Sequence, residues 1–199
     1  MNLPNKLTVF RIILVPVMVI VSLLNIQGSF LSIPIKMLIL DLIFVIAAIT
    51  DKLDGYYARK NNQVTTFGKF LDPIADKIIV IAAMILLVEM QKLPSWIPII
   101  VVFREFVVSG YRLIAVQSDG KVIAANVWGK LKTVTQMIAI ILMFLGAYAY
   151  GECLTGNITD TLPLIYNWIV TIIMTISVIA TIFSGYEYLK GGKDILKDC

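Results

Sequence analysis

Histidine is absent from the 199-residue chain. That absence excludes histidine general bases, serine–histidine–aspartate triads and metal sites built on imidazole. There are only two cysteines, Cys153 and Cys199, and no closely spaced cysteine pair of the kind that holds zinc. Any metal ion that the chain binds must therefore be held by oxygen atoms, which favours Mg²⁺, Mn²⁺ or Ca²⁺.

Charged residues are also scarce, at 15% of the chain, whereas 59% of it is hydrophobic. A soluble domain of this size needs more polar surface than that, so the composition predicts an integral membrane protein. No stretch is a linker long enough to separate two domains, and we therefore predict a single domain over residues 1–199.

Six apolar stretches are about long enough to cross a bilayer, which takes roughly 20 residues per helix. They are continuous rather than alternating, which argues against strands and predicts helices. The short breaks between them predict antiparallel neighbours, so the expected fold is an all-α bundle of six transmembrane helices, preceded by a short N-terminal interfacial segment. The predicted spans lie near residues 8–26, 34–54, 68–90, 95–116, 133–150 and 163–186.

The placement of the basic residues predicts how the chain is oriented. If the N-terminus is cytoplasmic and the helices alternate, 15 of the 17 lysines and arginines fall on or toward the cytoplasmic side, and only Lys36 and Lys92 lie outside. Both termini are therefore expected in the cytoplasm, in a multi-pass protein of the cell membrane. Near the N-terminus, Asn5, Thr8 and Arg11 allow two interpretations: a helix cap with a snorkelling anchor, or contacts to a ligand.

Four aspartates flank the loop between the second and third apolar stretches. Asp51 and Asp54 are three residues apart, and Asp72 and Asp76 are four apart, so each pair shares one helical face. If the second helix ends near residue 60 and the third begins near 67, Asp54 and Asp72 both lie about 8–9 Å from the end of the hairpin. The two pairs are therefore expected to converge at the cytoplasmic face.

Four carboxylates at one depth are costly near a bilayer and repel one another unless a cation is present. One or two divalent cations would offset both costs, and two carboxylate-held metal ions suit an in-line displacement at phosphorus. The alternative is a pair of solvated helix ends whose aspartates merely flank the membrane. Gly55 and Gly68 permit close approach of a ligand or another helix, and Arg59 can bind a phosphate through two hydrogen bonds or anchor its helix.

Eight residues at fixed spacings form one long pattern, Asp51-x2-Asp54-Gly55-x2-Ala58-Arg59-x8-Gly68-x3-Asp72-x3-Asp76. This pattern resembles the signature of the CDP-alcohol phosphatidyltransferases, and every fixed position of that signature is filled. The six-helix fold of that family agrees with the number of apolar stretches. The resemblance implies transfer of a lipid phosphate from CDP-diacylglycerol to an alcohol, with release of CMP, by a homodimer in membrane lipid.

The resemblance also implies roles for individual residues. Asp51, Asp54 and Asp72 would hold two divalent cations, Mg²⁺ or Mn²⁺. Asp76 would be both a metal ligand and the base that accepts the proton of the acceptor hydroxyl. CDP-diacylglycerol would contact a larger set of residues, namely Gly55, Ala58, Arg59, Thr65, Gly68, Asn5 and Thr8.

Residues 2–19, 103–115 and 129–137 resemble segments of the bacterial phosphatidylglycerophosphate synthases within that family. Those enzymes use sn-glycerol 3-phosphate, whose phosphate requires a cationic pocket. The basic residues available for it are Arg112 and Lys132, which we favour, and Lys130, Arg104 and Lys121. For Arg104 the alternative is an ion pair with Glu105 or with a carboxylate such as Asp41.

Other functions remain open from the sequence. An inositol phosphate acceptor would use a similar basic pocket, so charge alone does not separate it from glycerol 3-phosphate. A divalent-cation transporter would place its carboxylates near the bilayer centre rather than at one edge. A prenyl transferase also uses aspartate pairs and Mg²⁺, but it lacks the Gly-x2-Ala-Arg element. No nucleic acid is expected as a partner.

Overall fold

The structure is a computed structural model that describes residues 3–30, 33–60, 66–117 and 127–191, and side chains within 5–30, 33–51, 71–111 and 127–190. Within these ranges the chain forms six α-helices, one antiparallel pair of two-residue strands and a short 3-10 helix, Glu152–Leu154. The helices are α1 (Leu3–Leu23), α2 (Ile35–Lys60), α3 (Thr66–Glu89), α4 (Trp96–Gln117), α5 (Val127–Leu145) and α6 (Thr161–Gly191).

Three helices are long and apolar enough to cross a membrane, judged by the length and composition of the described residues. These segments are Asn5–Leu23 in α1, Val127–Leu145 in α5 and Thr161–Lys190 in α6. Helices α2, α3 and α4 carry most of the charged residues of the candidate site. The all-helical architecture and the three long apolar helices agree with the predicted membrane protein.

Several element boundaries differ from the prediction. Helix α1 already begins at Leu3, so the predicted interfacial segment is the start of that helix. Pro4 lies in the first turn, where its missing N–H removes no helical hydrogen bond. Helix α5 begins at Val127 rather than near 133.

The structure also contains strands where the sequence analysis expected none. Strands β1 (Ser29–Phe30) and β2 (Ile33–Pro34) pair between α1 and α2. Just before them Gly28 has a φ of 109°, a conformation that favours glycine. Each strand has only two residues, which is too few to give a recognisable alternation of apolar and polar residues in the sequence.

Helix packing brings the N-terminal half of the chain around α1. Helix α1 packs against both α2 and α3, α5 packs against α2 and α6, and α4 packs against α6.

The core includes the fully buried Phe44, Met84, Met143, Phe144 and Met174. Large apolar side chains elsewhere are exposed along most of the helices, a surface that suits a lipid environment. The α1–α2–α3 contact is the one that positions the candidate site.

Lys92 connects the turn after α3 to the end of α5. Its Nζ donates to the carbonyl oxygens of Gly146, at 3.2 Å, and Ala147. These carbonyls follow the last turn of α5, where a cation satisfies backbone acceptors that the helix leaves unpaired. Burial lowers the pKa of Lys92, and the nearby Glu152 carboxylate opposes that shift.

Asn167 of α6 holds the connection between α5 and α6 in place. Its Oδ1 accepts a hydrogen bond from the backbone N–H of Cys153 at 2.8 Å, and its Nδ2 donates to the carbonyl of Ala149 at 2.8 Å. The side chain is buried, with 3% of its surface exposed. One amide thus pairs the N–H of Cys153 and gives the Ala149 carbonyl a second donor besides the backbone N–H of Glu152.

We expect Asn167→Leu to destabilise the protein, because it leaves the buried N–H of Cys153 without its partner and removes one of the two hydrogen bonds that the Ala149 carbonyl accepts. The orphaned N–H alone costs about 1–3 kcal/mol of unfolding free energy. Thermal unfolding of the purified protein in detergent measures the effect. Asn157→Leu is the matched control, since Asn157 is exposed in the same connection; equal melting temperatures for the two variants would contradict the assigned role.

Candidate functional site

Arg11 joins three helices at one point. Its guanidinium Nη1 lies 2.9 Å from Oδ1 of Asp51 on α2 and also contacts Oδ1 of Asp76 on α3. The Arg11 side chain is fully buried, whereas the two carboxylates are partly exposed. The predicted convergence of the aspartates across the hairpin is therefore observed for Asp51 and Asp76.

Thr8, one helical turn before Arg11, contacts a third aspartate. Its Oγ1 donates a hydrogen bond to Oδ1 of Asp72 at 2.6 Å. Thr8 is buried, and so is Asn5. Because residues three apart share a helical face, Thr8 and Arg11 present one polar face of α1 to the hairpin. The interpretation of these two residues as a helix cap and a snorkelling anchor is wrong, since both side chains lie inside the bundle and bind carboxylates.

The depths of the aspartates explain their meeting. Helix α2 ends at Lys60 and α3 begins at Thr66, close to the predicted ends near 60 and 67. Asp51 lies nine residues before the end of α2 (60 − 51), and Asp76 lies ten residues after the start of α3 (76 − 66). At 1.5 Å per residue both are roughly 14–15 Å from the hairpin end, so antiparallel packing places them side by side.

The aspartates suit a hard cation by the chemistry of their oxygen atoms. Asp51 and Asp76 each present an oxygen to a single cationic nitrogen of Arg11, and an all-carboxylate donor set matches Mg²⁺ or Mn²⁺. Among the side chains that the structure describes, no three acidic, histidine or cysteine groups are close enough to hold a metal ion. The side chain of Asp54, the fourth predicted ligand, lies outside that set.

Several other predicted site residues can be placed only by their backbone. Asp54, Gly55, Ala58 and Arg59 belong to the last turns of α2, Gly68 belongs to the first turn of α3, and Arg112 belongs to α4. Their side chains lie outside the described part of the chain. Thr65 and Lys121 lie outside the described residues altogether.

A second charged cluster surrounds Glu105 of α4. Its Oε1 accepts a hydrogen bond from Nη1 of Arg104 at 2.8 Å and another from Nζ of Lys132 on α5. Its Oε2 lies 3.3 Å from Nζ of Lys77 on α3. Lys132 and Glu105 are both largely buried. We call Lys77, Arg104, Glu105 and Lys132 the Glu105 cluster.

Two residues of α6 also contact Arg104. Besides Glu105 it donates from Nη2 to Oγ of Ser184 on α6, and its guanidinium carbon lies 5.8 Å from the ring centre of Tyr188. Of the two alternative partners expected for Arg104, Glu105 is therefore the observed one. Asp41 is buried elsewhere, and its Oδ1 has no hydrogen-bond partner among the described residues.

One cavity connects the aspartates to the Glu105 cluster. Its volume is about 750 Å³. Asp72 and Asp76 line it, and so do all four members of the Glu105 cluster and the exposed Lys130. Arg104, Lys130 and Lys132, which the sequence analysis assigned to an acceptor pocket, thus share one cavity with two of the predicted metal ligands.

Comparisons with known proteins bear on the whole chain. The family model described as CDP-alcohol phosphatidyltransferase matches residues 1–183. The chain belongs to this family. It is 40% identical over 201 residues to the CDP-diacylglycerol–glycerol-3-phosphate 3-phosphatidyltransferase of Bacillus subtilis, an alignment that covers 98% of this chain and 97% of the relative.

Two further relatives carry the same name. The protein from Haemophilus influenzae is 40% identical over 201 residues, covering 99% of this chain and 96% of its own. The one from Rickettsia typhi is 37% identical over 193 residues, covering 96% and 97%. The resemblance noted in the sequence is thus confirmed at the level of the family and of its full-length members.

Three residues of the candidate site make contacts that the sequence did not predict. Arg11 was read as an anchor or a ligand contact, Lys77 only as one of the cytoplasmic basic residues, and Glu105 only as a partner for Arg104. The available signal was the i, i+3 spacing of Thr8 and Arg11, which places a hydroxyl and a guanidinium on one face of an otherwise apolar helix. Lys77 and Glu105 have no comparable local signal.

We expect Arg11→Met to lower the melting temperature, because it leaves Asp51 and Asp76 side by side without their shared cation. Removing one partner of a fully buried pair costs roughly 3–5 kcal/mol, and the loss here is smaller because both carboxylates reach solvent. Arg11→Lys should be intermediate, since an ammonium cannot reproduce the fork of a guanidinium.

The measurement is thermal unfolding in detergent, with Lys6→Met as the matched control. Lys6 is an exposed cation on the same turns of α1. If Arg11→Met were no less stable than Lys6→Met, the bridge would contribute nothing to the fold.

Proposed function

We propose that the protein transfers the phosphatidyl group of CDP-diacylglycerol to sn-glycerol 3-phosphate, giving phosphatidylglycerophosphate and CMP. Family membership and the name shared by the three relatives support this reaction class. The observation that carries the choice of substrates is the cavity that borders both Asp72 and Asp76 and the basic residues of the Glu105 cluster. An acceptor that carries both a hydroxyl and a phosphate fits this cavity, since the hydroxyl can lie near the aspartates and the phosphate near the basic residues.

The aspartates would bind the donor through two divalent cations, Mg²⁺ or Mn²⁺, held by Asp51, Asp54, Asp72 and Asp76. Bound there, these ions supply the positive charge that neutralises the pyrophosphate of CDP-diacylglycerol and the departing CMP. Arg59 would contact a donor phosphate, and Gly55 and Ala58 would leave room for the cytidylyl group. Thr65, Gly68, Asn5 and Thr8 complete the proposed donor site.

Asp76 would act as the base. It lines the cavity, and its Oδ1 contacts Arg11, which fixes the orientation of the carboxylate. As the acceptor oxygen bonds to phosphorus and the bond from phosphorus to CMP breaks, Asp76 takes the hydroxyl proton. The acceptor phosphate would lie against Lys132, Arg104 and Lys130, with Arg112 and Lys121 as further candidates for the same pocket.

The membrane arrangement is also proposed. All six helices would span the membrane, with both termini and the site at its cytoplasmic face, because the basic residues concentrate there. The fatty chains of the donor would then remain in lipid while its head group reaches the aspartates. We further propose that residues 1–199 form one membrane domain and that the protein is a homodimer in the cell membrane.

We expect the purified protein to release CMP from CDP-diacylglycerol when sn-glycerol 3-phosphate and Mg²⁺ or Mn²⁺ are supplied. Inositol phosphate and glycerol, each offered alone, should give little CMP. The assay follows CMP by chromatography. No CMP with any acceptor would contradict the enzyme, and CMP with inositol phosphate but not glycerol 3-phosphate would contradict the acceptor.

We expect Asp76→Asn to reduce turnover by roughly 10²–10⁴-fold, the usual contribution of a general base. Binding of CDP-diacylglycerol, measured by its stabilisation of the purified protein, should be largely retained. Asp160→Asn, an exposed aspartate outside the site, is the control. Near-normal turnover in Asp76→Asn would remove Asp76 as the base.

A further inference from the structure

Glu105 is an anion enclosed by cations from three helices. Lys77 reaches it from α3, Arg104 from α4 itself and Lys132 from α5. The Glu105 side chain is only 14% exposed, so these contacts take place largely out of water. Ion pairs in such a setting depend strongly on every partner being present.

The cations of the Glu105 cluster would not stay together without this carboxylate. Three like charges around one point repel one another, and the repulsion is strong where little water screens it. Other contacts hold two of the cations only in part: Arg104 donates to Ser184 and Lys77 donates to Ser109. These hydroxyls fix positions, but they carry no charge to offset the repulsion.

The cluster keeps a surplus of positive charge. Three cations and one carboxylate leave two positive charges (3 − 1) facing the cavity. A phosphate monoester carries close to two negative charges at neutral pH. An uncharged alcohol would leave that surplus without a partner, so the cluster favours an acceptor that brings its own phosphate.

We propose that Glu105 is a positioning residue that keeps the side chains of Lys77, Arg104 and Lys132 gathered around the acceptor phosphate. This inference rests on the proposed function and adds a residue that determines acceptor specificity. Glu105 does not touch the reacting atoms in this account. It acts through the cations, and its loss should impair acceptor binding while sparing the donor.

The test compares Glu105→Gln and Glu105→Asp with the wild type. Glutamine keeps the shape of the side chain and removes its charge, whereas aspartate keeps the charge on a shorter stem. We expect Glu105→Gln to raise the KM for glycerol 3-phosphate at least tenfold and to change the KM for CDP-diacylglycerol less than twofold. Glu105→Asp should recover part of the acceptor affinity. The control is Glu187→Gln, an exposed glutamate near the end of α6.

A second readout does not depend on turnover. Glycerol 3-phosphate should raise the melting temperature of the wild type and of Glu187→Gln, and this increment should be lost in Glu105→Gln. A merely structural glutamate would lower all melting temperatures without removing the increment. Two results with Glu105→Gln would overturn the role of Glu105 and leave the proposed acceptor standing. One is an unchanged or lowered KM for glycerol 3-phosphate, and the other is an equal change in the KM values of both substrates. Failure of the wild type to bind or use glycerol 3-phosphate would instead overturn the proposed acceptor and this role together.

Discussion

A fully buried guanidinium in an apolar bundle has to be paired, and Arg11 meets that requirement with two aspartates on two different helices. Arg11 in turn stabilises the two aspartates, because Asp51 and Asp76 would repel each other without the cation between them. The same turns of α1 bring Thr8 to Asp72. The packing of α1 against the α2–α3 hairpin is therefore set by polar contacts as well as by apolar ones, and the hairpin carries most of the candidate chemistry.

Glu105 meets the same requirement with the charges reversed, because a largely buried carboxylate must be paired with cations. There one carboxylate holds three cations, and this cluster borders the same cavity as Asp72 and Asp76. Acidic groups at one part of this cavity and surplus positive charge at another give it two chemically distinct regions. The proposed reaction of a metal-held pyrophosphate donor with a phosphorylated alcohol would use both regions, and a divalent-cation path would have no use for the second.

Much of the fold followed from local pattern. Continuous apolar runs predicted six helices, and all six are present in the described residues. The strand pair β1–β2 was not predicted, and α1 and α5 begin several residues earlier than predicted, at Leu3 and Val127. Polar residues such as Asn5 shortened the apparent apolar run, although in the bundle the Asn5 side chain is buried and has an interaction partner. A hydropathy scale depends only on residue type, so it does not take into account the interaction partner of a buried polar residue.

The sequence by itself determined the composition of the candidate site: four aspartates at helical spacings, a family signature, and an excess of basic residues predicted near the same end of the helices. Spacing along one helix fixes which residues share a face, because the helical period is constant. The tertiary structure decided which faces meet. Arg11 and Asp76, or Lys77 and Glu105, are far apart in the chain, and their contact depends on the rotation and depth of separately packed helices. No local rule encodes that rotation, so the bridge at Arg11 and the cluster at Glu105 emerge only once the bundle is assembled.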